Sequence, residues 1–312
     1  IEPQCVPLLL WVLNADNQQG IEYIENALTL MAFMTQHGPS PFTPSMWQAY
    51  TSMYRAFMAF AFDYIEDVSI PFMNFVERDL QTFLTGGDQA LGLSYAQMYY
   101  NVVQKVLTYE SAGKRNKIVA SQMLMSVLHW GRGSAWPNPP AAAGGAGAGR
   151  VDQFVAPYMQ LVLGQLQQAK HISLKVAYLE VLESCIVYAP AAALALLEQA
   201  GATQTVFTMW MQPGVLAKHE EIRSKRLCAL ALLNMLRVPA QTIPASIRGG
   251  IPQIFAKSVE MLANLEAQRD EAEEADSFWE DTGAAGGAAA AGGDGGGDDD
   301  DDDDDDIQSI GG

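Results

Sequence analysis

The sequence contains no Asn-x-Ser/Thr acceptor, no Cys-x-x-Cys pair, no Gly-x-Ser-x-Gly elbow and no Walker-type phosphate loop. Thiol-redox, α/β-hydrolase and nucleotide-loop chemistry therefore have no motif to stand on. Cysteine is scarce: Cys5, Cys185 and Cys228 are the whole set. An odd, scattered count fits buried free thiols in a reducing compartment, not a disulfide frame. His37, His129, His171 and His219 are also far apart, with no metal-ligand spacing, so no metal site, catalytic residue or cofactor is expected. Long apolar runs are missing. The longest, Cys185–Leu197, is 13 residues and contains Pro190, too short to span a bilayer. Residues 5–13 are apolar but lack a basic flank and read as core, not as a signal peptide. The chain opens at Ile1 in mid-pattern, as a piece of a longer protein does.

Positive charge is in short supply, with 18 Lys+Arg against 36 Asp+Glu and a net charge of −18. The imbalance is local. Residues 1–257 carry 17 acids and 17 bases, whereas residues 258–312 carry 19 acids and one base, Arg269. A neutral body followed by an acidic tail argues against direct contact with nucleic acid or an anionic membrane, both of which need a basic surface. It favours basic partners.

What is abundant is helical periodicity. In 44–62, Met46, Trp47, Tyr50, Met53, Tyr54, Phe57, Met58 and Ala61 recur at three and four residues and make one helix face, with Thr43 or Ser45 as its cap. The same spacing predicts helices over 92–109, 114–130, 151–168 and 171–188. Further helices are expected at 4–14, 18–36, 64–79, 191–200, 203–212, 220–237 and 251–267. Pairs begin near residues 4, 43, 92, 151 and 203, at intervals of roughly 40–60 residues, close to HEAT and armadillo units. The expected fold is all-α: a HEAT-repeat α-solenoid over 1–267 with a flexible loop at 132–149, then a disordered acidic tail over 268–312. Residues 132–149 are Pro-rich then Gly/Ala-rich, and 283–297 are Gly and Ala with one Asp, so neither is expected to hold a packed form.

Several local clusters have bland readings. Asp63, Glu66 and Asp67 share a helix face and read as solvated. Lys114, Arg115 and Lys117 read as the polar start of a helix after Gly113. Glu221 and Lys225, at i and i+4, read as a helix-supporting pair beside Arg223 and Arg226. The nine consecutive aspartates Asp298, Asp299, Asp300, Asp301, Asp302, Asp303, Asp304, Asp305 and Asp306 repel one another and stay extended. They are the candidate contact for basic partners. They lack the glycine and carbonyl arrangement of a calcium loop.

A set of segments in order carries a resemblance: EYIENALTLMAFM (22–34), SMWQAY (45–50), FDYIEDVSIPFMNFV (62–76), GRG (131–133) with VDQFVAPYMQLVL (151–163), VAYLEVLESCIVYAP (176–190), KRLCALALLNMLRVP (225–239) and IPQIFAKSVEML (251–262), then the acidic run. Together they resemble the C-terminal part of importin-β-family karyopherins, closest to the importin-7/importin-8 class. The resemblance implies a HEAT-repeat superhelix and nuclear import of basic proteins such as ribosomal proteins and histones. It also implies release by Ran GTPase in its GTP form, passage along FG nucleoporins, importin-β as a partner receptor, and shuttling between cytoplasm and nucleus. The repeats that grip Ran in the family lie N-terminal to this stretch. Trp136 and Trp210 are the candidate FG-repeat contacts, with core packing as the competing role for Trp210. The alternative function is an acidic helical-repeat chaperone or scaffold for basic proteins without Ran control. A helical-repeat export receptor shares the same pattern, and an enzyme is the third class.

Overall fold

The computed structural model describes residues 2–132, 151–219 and 221–283. The chain divides into two compact units, Ile1–Glu266 and Ala267–Gly312. Among the described residues there are fifteen α-helices and one two-stranded hairpin, Gly87–Asp88 against Leu93–Ser94. The protein is all-α, as its periodicity requires. No described helix is long and apolar enough to cross a membrane.

Five helical pairs organise the first unit. They are α1 (Glu2–Val12) with α2 (Ile24–His37), α3 (Pro44–Ala59) with α4 (Ile65–Arg78), α6 (Tyr95–Thr108) with α7 (Lys114–Gly131), α8 (Asp152–Leu166) with α9 (Ile172–Tyr188), and α10 (Pro190–Gln199) with α13 (Ile222–Arg237). First members touch first members, in the order α1, α3, α6, α8, α10, and second members touch second members, in the order α2, α4, α7, α9, α13. Each pair therefore buries one stripe against its mate and another against the next pair, which is how stacked repeats build a continuous core.

Hydrogen bonds between helices fix the directions. Near the start of α3, Trp47 Nε1 donates to Asp79 Oδ2 just after the end of α4, at 3.3 Å. Tyr99 of α6 donates its hydroxyl to Met123 O in the second half of α7, at 2.9 Å. Tyr188, last in α9, donates to Asp152 Oδ1, first in α8, at 2.6 Å. Start meets end in the first and last of these, so those mates are antiparallel. Along the second row, end meets end. Arg78 of α4 donates to Thr35 O and Gly38 O at the end of α2, both at 2.6 Å, and Asn234 of α13 donates to Val187 O of α9 at 3.2 Å.

Local chemistry explains the boundaries. Thr43 caps α3 by accepting from Met46 N at 3.3 Å, with Pro44 at the first helical position. Ser94 caps α6 by accepting from Gln97 N at 3.1 Å. Gly113 precedes α7, so Lys114, Arg115 and Lys117 are its polar first turn. Pro71 and Pro157 both lie inside helices. In α9, 13 of 17 residues are buried, the mark of a helix enclosed on all sides: it touches α7, α8, α10, α13 and α12 (Pro213–Ala217).

The structure departs from the periodicity in four places. Three helices are too short to show a period: α5 (Leu80–Thr85), α12, and α14 (Ala245–Arg248). The helices α10 and α11 (Thr203–Trp210) match the expected 191–200 and 203–212, but the fifth pair begins at α10 and not near 203, and α12 is added before α13. The start of 92–109 is the second hairpin strand, not helix. Finally, α15 spans Ile251–Gly283, beyond the expected stop at 267. The Gly/Ala loop, from 133, and the nine-aspartate run lie outside the described residues.

Candidate functional site

A groove of about 430 Å³ opens between α7, α9 and α13 in the second row. Met125 and Leu128 of α7 and Leu227 and Leu230 of α13 supply apolar lining. Its polar lining comes from His129 and Arg132 at the end of α7, Glu180 and Ser184 of α9, and Glu221, Arg223, Ser224 and Arg226 at the start of α13. Arg223 and Arg226 thus face a groove, and α13 is also supported by a backbone bond from Lys225 N to Glu221 O at 2.9 Å. The groove carries both signs of charge over an apolar floor. Burial, Arg132 and Arg223 all hold His129 below the ordinary histidine pKa.

Ser224 connects this groove to a buried polar cluster. Its hydroxyl donates to Glu180 Oε1. His219 Nδ1 lies 2.7 Å from the same Oγ. Because the Ser224 proton is committed to a carboxylate, Nδ1–H is the donor to Oγ, and Nε2 carries the ring's lone pair. Nε2 stands 3.5 Å from Glu183 Oε1. Cys228 Sγ completes the cluster and accepts from Trp210 Nε1 at 3.2 Å. Glu183, His219 and Cys228 are fully buried, with one ligand-type atom from each within 4.8 Å of the others. Burial, with help from Glu180, pushes the Glu183 pKa well up, and burial lowers His219 to about 4. Ser224, His219 and Glu183 have the residue types of a hydrolytic triad, but the proton direction is wrong. Ser224 gives its proton to Glu180, and His219 donates to the serine where a general base would accept.

The sequence-predicted residues fall elsewhere. Trp210 is 1% exposed and packs on Phe207, with ring centroids 5.3 Å apart. Its burial gives it the core-packing role that competed with FG contact, and its indole N–H is satisfied inside the protein by Cys228 Sγ. Trp136 and Asp298–Asp306 lie outside the described residues. Glu66 pairs with Arg115 at 2.7 Å, tying α4 to α7 through exposed side chains, in keeping with the solvated reading of the Asp63, Glu66 and Asp67 trio. Cys185 and Cys228 are buried free thiols, as expected, and Cys5 is free and half-buried. The Glu183, His219 and Cys228 cluster escaped the sequence because its members come from α9, the α12–α13 connector and α13. No local spacing joins them.

No family model matches the chain. Over 283 residues it is 25% identical to an importin beta-like SAD2 homolog of Arabidopsis thaliana, a stretch covering 88% of this chain and 25% of that protein. The chain resembles the importin-β-like proteins. It is also 20% identical over 273 residues to a probable importin-7 homolog of Dictyostelium discoideum, covering 85% of this chain and 22% of that one. A match over 85–88% of the chain takes in its middle, where the groove residues lie, and the chain spans about a quarter of the length of these curated relatives. No solved structure matches it.

Proposed function

We propose that this chain is part of a nuclear transport receptor that carries basic proteins, such as ribosomal proteins and histones, into the nucleus. The observation that carries the reading is the similarity to two importin-like proteins over 85–88% of the chain. The fold supports it, since stacked helix pairs offer extended surfaces and the charged groove suits a protein partner. In this reading Ran in its GTP form releases the cargo, and FG nucleoporins conduct the receptor between cytoplasm and nucleus. Cargo contact falls partly to Asp298–Asp306. Nine carboxylates on consecutive residues sit at most ~3.6 Å apart along an extended chain, well inside the roughly 8 Å Debye length at physiological salt. A lysine-rich segment then feels several of them together.

The test of transport is nuclear accumulation of a fluorescent histone in permeabilised cells, driven by the full-length product with Ran and GTP. Accumulation that requires both is the expected result, and diffuse cargo despite tight binding would leave a carrier role untenable. The acidic tail favours a second reading, a chaperone that shields basic proteins without Ran. That reading predicts suppressed histone aggregation and no response to Ran. Deletion of Asp294–Asp306 tests the tail: cargo affinity should drop sharply at low salt and less at near-physiological salt, whereas equal affinity at both would reduce the run to a solubility device.

A further inference from the structure

His219 Nε2 and both oxygens of Glu183 are buried and make no hydrogen bond of good geometry among the described residues, although the Cys228 thiol sits close enough to Glu183 to act as a donor. Leaving even one such group unsatisfied is costly, and three converge here. The tautomer sharpens the problem. With Nδ1–H donating to Ser224, the Nε2 lone pair points toward Glu183 Oε1 at 3.5 Å, so the pair needs either a proton held on Glu183 or a cation between them. Cys228 Sγ, the third potential ligand, lies within 4.8 Å of both.

We propose that Glu183, His219 and Cys228 form a structural zinc site, with both oxygens of Glu183 counted so that four donor atoms surround the ion. The donor set of carboxylate, imidazole and thiolate is the mixed N/O/S set that suits this borderline-soft ion. In tetrahedral geometry, Zn–N of about 2.0–2.1 Å and Zn–S of about 2.3 Å place donor atoms roughly 3.3–3.8 Å apart. The 3.5 Å between Nε2 and Oε1 already fits, and the widest gap, 4.8 Å, closes with about an ångström of side-chain movement. The surroundings are those of a ligated metal. Glu180 and Ser224 form a carboxylate–hydroxyl relay that orients the imidazole through its other nitrogen. Trp210 N–H donates to the sulfur, the contact that steadies a thiolate. Binding Zn²⁺ displaces the Cys228 thiol proton and any proton on Glu183 to solvent, leaving one thiolate and one carboxylate to balance the two positive charges. The site would staple α9 to α13 and to the connector preceding it. Because all three side chains are fully buried, zinc enters as the chain folds.

The experiment uses the whole chain, refolded with zinc, washed free of excess metal and assayed by elemental analysis. A parallel sample is refolded with Co²⁺ and read by absorption. The expected result is roughly one zinc per chain and an intense near-ultraviolet thiolate-to-cobalt charge-transfer band. Cys228→Ser removes that band, while Cys5→Ser and Cys185→Ser keep it. Folded wild-type protein that holds no zinc and shows no band overturns the proposal, as does a band that survives Cys228→Ser. If Cys228→Ser fails to fold, the zinc content and band of the wild-type protein, with the two control variants, decide the matter.

Discussion

Trp210 Nε1 donates to Cys228 Sγ across 3.2 Å, joining the end of α11 to the middle of α13. One bond thus ties the residue that sequence offered as a partner contact to a thiol that sequence offered only as buried and free. Removing the indole opens a cavity and strands the sulfur. Trp210→Ala should therefore cost about 3–5 kcal/mol in chemical denaturation. A variant of wild-type stability that had lost a nucleoporin contact would return Trp210 to the surface role.

Arg78 holds two carbonyls at once. Its guanidinium donates to Thr35 O and Gly38 O, both at 2.6 Å, capping the open end of α2 from the next pair. A lysine carries the same charge but cannot present two N–H groups in a fixed fork. Arg78→Lys should lose about 2 kcal/mol, the scale of one charge-assisted hydrogen bond. Urea midpoints that coincide for Arg78→Lys and wild type would show that charge, not the fork, is what matters.

The two ends of the Gly/Ala-rich connection touch. A Cβ on Gly131 would collide with Cγ2 of Val151, so α7 and α8 meet without help from the residues between. Deleting Ala141–Gly149 should change stability by under about 1 kcal/mol, because loop closure changes by only about 0.6 kcal/mol per doubling of length. Gly131→Ala should cost more than the deletion, since Val151 is fully buried and has to give way. Thermal melts of the two variants check the order, and a deletion more damaging than the single methyl would reveal a packing role for the removed segment.

His129 should titrate below the ordinary histidine value of about 6.5, the direction set by burial, Arg132 and Arg223. Its folded pKa is depressed, so the unfolded chain binds the proton more readily. The stability linked to neutral His129 is present above the unfolded pKa and lost as pH falls toward the folded one. Arg223→Gln removes one of the two cations and should move the NMR-detected titration of His129 upward. No movement would mean that burial and Arg132 set it without Arg223.

Helix existence was legible wherever an apolar stripe runs three turns or more. The stripe Met46, Tyr50, Met53, Phe57 and the cap at Thr43 locate α3 from the residues alone. The packing of second member on second member follows from the same stripes, because α9 is too apolar to have an exposed face. Helices of four to six residues such as α14 and α5 hold too few residues to display a period. The long end of α15 is a run of good helix formers such as Glu271, Glu273 and Glu274, which reads as polar tail when only apolar periodicity is sought. The cluster at His219 was invisible for a different reason. Glu183 lies within an apolar helix, Cys228 looks like a small core residue, and only the approach of α13 to α9 brings both to the imidazole.

The measurement that bears most directly on the account is the affinity of the full-length product for a lysine-rich histone, with and without Ran in its GTP form. The account predicts tight binding that Ran·GTP weakens by at least about tenfold, or roughly 1.4 kcal/mol of coupling. An affinity unchanged by Ran·GTP in a folded protein would contradict it and leave an acidic helical scaffold in place of a carrier.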